Sequence, residues 1–156
     1  MRAVLTRVRS ASVSIGGETV GRIGKGFLIL LGVGPEDTEE ACRCLAEKAL
    51  SLRLFEDGQG KMNLGLEQVG GEVLVVSQFT LYGSCRKGRR PSFTGAAAPE
   101  LGNALYEQFL AICAELGYPP QHGRFGADMQ VESVNDGPVT ILLDTDELCA
   151  PRRGTQ

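Results

Sequence analysis

The chain has 156 residues, 42% of them hydrophobic and 22% charged, and carries a formal net charge of −3. A globule of this length buries about 70% of the surface its unfolded chain exposes, enough for one domain with one core, and the composition excludes a disordered or fibrous chain. The mild acidity argues against broad electrostatic adhesion to nucleic acid but leaves room for a local basic patch.

Met1 to Ser10 (MRAVLTRVRS) has three arginines and no uninterrupted apolar segment, so it does not read as a secretory signal. Alternation in Ala3–Val8 predicts a first strand, and Ser12–Ile15 with Thr19–Gly21 predict a hairpin around Gly16-Gly17. The run Phe27–Val33 (FLILLGV) is bounded by Gly26 and by Gly34-Pro35, which predicts a central strand buried on both faces. It is far shorter than the roughly 20 residues a membrane-spanning helix needs. The expected location is therefore cytoplasmic, with no membrane partner.

Asp37 followed by Glu40 marks a helix start, and Ala41, Cys44, Leu45, Ala49 and Leu52 continue at helical spacing, predicting a helix over 38–51. Leu52–Phe55 is expected as a short strand, followed by a turn at Glu56–Lys61 (EDGQGK). Glu72–Leu81 (EVLVVSQFTL) begins as a buried strand and changes character where Ser77, Gln78 and Thr80 interrupt the apolar run. Pro99 opens a second helix whose face is Leu101, Leu105, Phe109, Ile112 and Leu116, with Gly117 ending it. Asp128–Val134 and Val139–Leu143 are expected to form a hairpin across Asn135-Asp136-Gly137. The predicted fold class is α/β (α+β): largely antiparallel or mixed β-sheet in a barrel-like arrangement with two main helices. One domain spans 1–146, with a polar tail over 147–156.

Five cysteines without a C-x-x-C pair argue against a disulfide framework and a zinc cluster. Cys42 and Cys44 point to different faces of a helix, so no metal or other cofactor is expected. His122, the only histidine, has no serine, cysteine or carboxylate placed beside it by the sequence.

Two strings carry candidate chemistry. In Ser77–Leu81 (SQFTL), polar groups at a strand end can face a pocket, or can hydrogen-bond the turn and solvent. In Asn135–Thr140 (NDGPVT), Gly137-Pro138 can serve a hairpin turn or adopt a cis peptide, as about 5 to 6% of X-Pro bonds do. A basic cluster at Arg86, Lys87, Arg89 and Arg90 follows the first string.

Both strings, in this order, resemble the signature motifs of the D-aminoacyl-tRNA deacylases. The likeness extends through MRAVLTRVRSASVS at the start, Gly24–Val33, GKMNL at Gly60–Leu64, RPSF at Arg90–Phe93 and Gly123–Leu143. It implies a homodimer that hydrolyses the ester of D-aminoacyl-tRNA as translational proofreading, and glycyl-tRNA as well. In such an enzyme a Gly-cisPro dipeptide, here Gly137-Pro138, enters the partner subunit's site and rejects L-amino acids. Ser77, Gln78, Phe79 and Thr80 then line the pocket for the 3′-terminal adenosine and the ester. Phe125 and Met129 match substrate-pocket positions, and Arg7 one that orients the Gly-Pro motif. The basic cluster would contact phosphates of the acceptor stem, or stand as a solvated loop. Three other readings fit the chain less well: a related deacylase with a trans Gly-Pro that edits L-aminoacyl-tRNA, a silent RNA-binding module, and a threonine-dependent esterase.

Overall fold

One 14-residue strand, β1 (Arg2–Ile15), organises the molecule. The computed structural model describes residues 1–150. β1 pairs antiparallel with β2 (Glu18–Ile23), the expected hairpin partner, and with β3 (Gly26–Gly32). β3 pairs parallel with β6 (Glu72–Ser77), and β6 with the two-residue β7 (Gln121–His122). A Cβ added to Gly21 on β2 would stand 3.0 Å from the His122 carbonyl. β7 therefore lies against β2, and the sheet nearly closes into a barrel.

The core has two parts that meet along this sheet. Phe27, Ile29 and Leu31 of β3 face helices α1 (Glu39–Ser51) and α3 (Pro99–Glu115) in one cluster, while Leu28 faces Val8, Val13, Ile23, Leu74 and Val76 in the barrel interior. Burial on both faces explains the uninterrupted apolar run of β3. Each such side chain taken from water contributes about 1.5–3 kcal/mol.

β1 serves both clusters through a change of pleat. Ala3 and Leu5 face the helices, but Ala11 and Val13, also odd-numbered, face the barrel. The ladder to β8 (Gln130–Asp144) shifts register between Val8 and Ser10, and one extra residue in a strand transfers every later side chain to the opposite face.

The hairpin expected across Asn135–Gly137 does not form. Both arms instead pair with β1 in one continuous strand, from Ser14↔Gln130 to Arg2↔Asp144. Asn135 lies opposite Val8 and Thr140 opposite Thr6, so residues 136–139 bulge out across from Arg7. The turn-forming residues mark an interrupted ladder; β1 is long enough to hold both arms, so the chain need not reverse. Asn135 replaces part of the missing ladder: its Oδ1 accepts from Val139 N at 2.9 Å and its Nδ2 donates to Thr140 Oγ1 at 3.1 Å.

Other boundaries also move. Thr38, not Asp37, caps α1, its hydroxyl accepting from Ala41 N at 3.2 Å. The strand expected over Leu52–Phe55 is β4 (Phe55–Glu56), paired with β5 (Met62–Leu64) in a small second sheet. Two short helices, α2 (Leu66–Val69) and α4 (Thr145–Leu148), complete the described residues. α4 spans the expected boundary between the domain and the tail, and residues 151–156 of that tail lie outside the described residues. Among the described residues no helix is long and apolar enough to cross a membrane.

Candidate active site

The SQFTL string leaves the sheet where β6 ends at Ser77. Gln78 N still donates to the Leu31 carbonyl at 2.7 Å, and the chain then tightens into a 3-10 turn, Phe79–Tyr82, closed by Gly83 N donating to Thr80 O at 2.9 Å. The turn lies directly on the end of β3. A Cβ on Gly32 would stand 3.1 Å from both Gln78 O and Leu81 Cβ, so a larger residue there would push the turn away.

The Gln78 side-chain amide donates to the Thr80 hydroxyl. Phe79 is 56% exposed and meets Phe93 edge to face, ring centroids 5.2 Å apart. Ser77, Gln78 and Phe79 share a cleft with Ala97, Tyr106 and Phe125, of about 20 Å³ in this chain. That is room for about one water, so a nucleoside must bind over its mouth or open it. A wider cavity, about 420 Å³, adjoins the turn at Leu81 and is lined also by Arg2, Val4, Leu142, Asp144 and Glu147.

Several residues that brace the turn escaped the sequence reading. Arg2 Nη1 donates to Leu81 O at 3.1 Å, Arg2 Nε to Asp144 Oδ2 at 3.1 Å, and the guanidinium lies 4.5 Å from the centre of the Tyr82 ring. The Asp37 carboxylate accepts from Gly34 N at 2.6 Å and from the Tyr82 hydroxyl at 3.4 Å. Burial, with Asp37 adding to it, holds the Tyr82 hydroxyl above the ordinary tyrosine range. Asp37 had a visible signal, but that signal read as a helix cap. Tyr106 lay off the chosen helix stripe; its hydroxyl donates to Val75 O at 3.2 Å beneath the cleft.

The second string sits elsewhere in the chain. The Gly137-Pro138 peptide is cis, and both residues are exposed on the β8 bulge. Beneath them Arg7 is only 5% exposed, Nε donating to Asp136 O at 2.8 Å and Nη1 to Leu54 O at 2.6 Å. Asp136 also lies 3.5 Å from Arg9 Nε. Arg7 is therefore no surface charge: its fork ties the bulge to the loop before β4.

Of the other expected site residues, Phe125 joins the cleft, its ring centroid 6.0 Å from that of Tyr106. Met129 does not, packing against the barrel-interior cluster. Arg86, Lys87, Arg89 and Arg90 are all exposed, on a loop pinned at its base by the Ser84–Ser92 bridge. His122 Nδ1 donates to the Gly123 carbonyl at 2.7 Å. Among the described residues no group of three or more His, Cys, Asp or Glu is placed to hold a metal ion.

Comparison with known proteins defines the class. A family model described as D-Tyr-tRNA(Tyr) deacylase matches residues 4–144. A D-aminoacyl-tRNA deacylase of Desulfatibacillum aliphaticivorans is 59% identical over 145 residues, spanning 93% of this chain and 99% of that protein. One from Thermotoga petrophila is 57% identical over 148 residues, spanning 95% and 99%. A solved structure of a c-Myc DNA unwinding element binding protein superposes with a TM-score of 0.87 at 42% identity, covering 92% of this chain and 98% of that one. Another, of a probable eukaryotic D-amino acid tRNA deacylase, shares the fold, with a TM-score of 0.76 at 21% identity over 91% and 97%. The class is that of hydrolases acting on aminoacyl-tRNA. The chain belongs to the D-Tyr-tRNA(Tyr) deacylase family.

Proposed function

We propose that this enzyme, a D-aminoacyl-tRNA deacylase, works as a cytoplasmic homodimer in which each site combines the SQFT turn of one subunit with the Gly137-Pro138 bulge of the other. The observation that carries this reading is a separation. Ser77 is in register with Leu31 and so with Ala3, whereas the bulge faces Arg7 on the far edge of β1. Four residues along the strand and three strand spacings across put the two strings on the order of 15–20 Å apart in one chain, a separation that favours their meeting between subunits. β8 has β1 as its strand partner and exposes Val131, Val134 and Leu142, a surface suited to a symmetric contact with a second copy.

In this dimer the Gly-Pro carbonyls form a rigid wall against the substrate's α-carbon. An L side chain is driven into the wall and a D side chain points away, so selection works by rejection. Glycine has nothing to clash, which extends the substrates to glycyl-tRNA. The terminal adenosine lies over the cleft of Ser77, Gln78, Phe79 and Phe125, and Met129, packed beside the barrel core, stays outside it.

Thr80 is the available hydroxyl nucleophile, but its partner is the Gln78 amide, a donor that cannot take its proton. The chemistry therefore rests on orientation. The first amides of a helical turn have no acceptor within it, so those at Phe79 and Thr80 are placed to stabilise the developing oxyanion, while the neighbouring ribose hydroxyl of the tRNA activates water. Arg86, Lys87, Arg89 and Arg90 hold acceptor-stem phosphates.

The test is complementation with D-tyrosyl-tRNA as substrate and L-tyrosyl-tRNA as control. Gly137→Ala spoils the gate and Ser77→Phe fills the cleft. Random remixing of two such dimers should restore roughly a quarter of wild-type turnover, because half the dimers then hold one intact site of two. No recovery, with mixed dimers present, would place both strings in one subunit's site. A Thr80→Ala enzyme that binds adenosine but has lost all turnover would instead make the threonine the nucleophile.

A further inference from the structure

The cysteines have no part in that reading, and they divide sharply by environment. Cys42 and Cys113 are fully buried, and burial pushes both thiols up to about 12, so they stay protonated and inert. Cys85 is exposed and free on the basic-loop side of the turn. Cys44 and Cys149 differ from all three. Cys44 lies partly exposed on α1, and Cys149, exposed, caps the end of α4, 105 positions away in sequence. The Cys149 and Cys44 Sγ atoms lie 2.7 Å apart, inside ordinary sulfur–sulfur contact and a small movement from a bonded separation of about 2.05 Å.

We propose that Cys44 and Cys149 are a modification site: a reversible disulfide that clasps α4 to α1. The oxidant is a low-molecular-weight disulfide of the glutathione type. Cys44, as its thiolate, attacks the small disulfide, since burial and the neighbouring Cys44 push the Cys149 thiol up to about 11; a mixed disulfide forms on Cys44 and one small thiolate leaves. The second cysteine gives its proton to water and displaces the other small thiolate, closing Cys44 to Cys149. Two protein thiols are oxidised, and one small disulfide is reduced to two thiols. Partial exposure makes the bond open to reduction by the reverse steps, as labile disulfides are.

The clasp acts on the segment that frames the site. Thr145 N donates to the Met1 carbonyl at 2.9 Å, and Asp144, which caps α4, holds the Arg2 side chain that binds Leu81 O. Closing the bond fixes α4, and through it the start of β1 beside the SQFT turn.

The full chain, incubated with glutathione disulfide and digested without reductant, should yield a peptide joining Cys44 to Cys149, lost on adding a thiol reductant. Cys85 should carry a glutathione adduct in the same sample, showing that exposed thiols were oxidised. In Cys149→Ser, Cys44 should carry the adduct instead. Glutathione on Cys85 with Cys44 and Cys149 both free, or each bearing its own adduct, would overturn the proposal.

Discussion

Arg7 and Gly137 face one another across the β1–β8 ladder, so closely that a Cβ on Gly137 would stand 2.8 Å from Arg7 Nη2 and 2.8 Å from Val139 Cγ2. Gly137 also has φ +134°, a conformation that costs an L-residue about 1–3 kcal/mol. Gly137→Ala should displace the bulge while the rest of the fold persists. The expected result is turnover of D-tyrosyl-tRNA lowered about tenfold or more, a loss equal to about 1.4 kcal/mol or more in the barrier, with an unchanged circular dichroism spectrum. Wild-type turnover would remove the bulge from the site.

The Arg7 fork spans two carbonyls on separate segments, Asp136 O on the bulge and Leu54 O before β4. Arg7→Met keeps the buried stem but leaves Asp136 O and Leu54 O without their donor, and an unpaired buried acceptor costs about 1–3 kcal/mol. The urea midpoint should fall accordingly. Arg7→Lys should lie between the two, since an ammonium lacks the planar fork. A midpoint for Arg7→Met equal to wild type would mean that water satisfies both carbonyls.

Burial raises the Cys42 and Cys113 thiols from 9.0 to about 12. Between those values the unfolded chain has lost both protons and the folded chain retains them, so stability falls as pH rises. Its full contribution is present below about pH 9. The fall should approach about 1.4 kcal/mol per pH unit for each thiol. Cys113→Ala should make the slope of unfolding free energy against pH shallower by about 1.4 kcal/mol per unit in that window, where the Tyr82 and Tyr106 hydroxyls, also raised by burial, add to the fall above about pH 10. An unchanged slope would assign the alkaline loss to other groups.

Activity at sub-saturating tRNA should fall steeply with salt if Arg86, Lys87, Arg89 and Arg90 bind phosphates, because each contact releases a counterion. Arg89→Ala should reduce the slope of log(kcat/KM) against log[salt] by about one. The same slope in variant and wild type would leave the cluster as a solvated loop.

What the sequence disclosed follows the range of the interactions involved. α1, α3 and β3 were legible because their burial depends on near neighbours, as Leu105, Phe109 and Ile112 show on one helix face. β8 was misread because Asn135-Asp136-Gly137 signals a break in the ladder, while the partner that keeps the chain straight, β1, lies more than 120 positions earlier. The SQFTL and NDGPVT strings stood out locally, but their separation in the fold depends on the register of four strands. Arg2, Asp37 and Tyr82 brace the turn through contacts remote in sequence, and Cys44 meets Cys149 only after α4 has docked. No window of neighbouring residues contains those relationships.

The pleat change near Arg9 makes β1 a wall common to both parts of the core, its first half filling one side and its second half the other. Neither part can open alone, since releasing β1 from the helices also withdraws Val8, Ala11 and Val13 from the barrel. Amide protons of β1 should therefore exchange only through global unfolding, and the slowest protons on both sides of the sheet should share one opening free energy. Deleting the extra residue between Val8 and Ala11 would leave these two positions two apart, so a regular pleat would still carry Ala11 and Val13 into the barrel beside Val8.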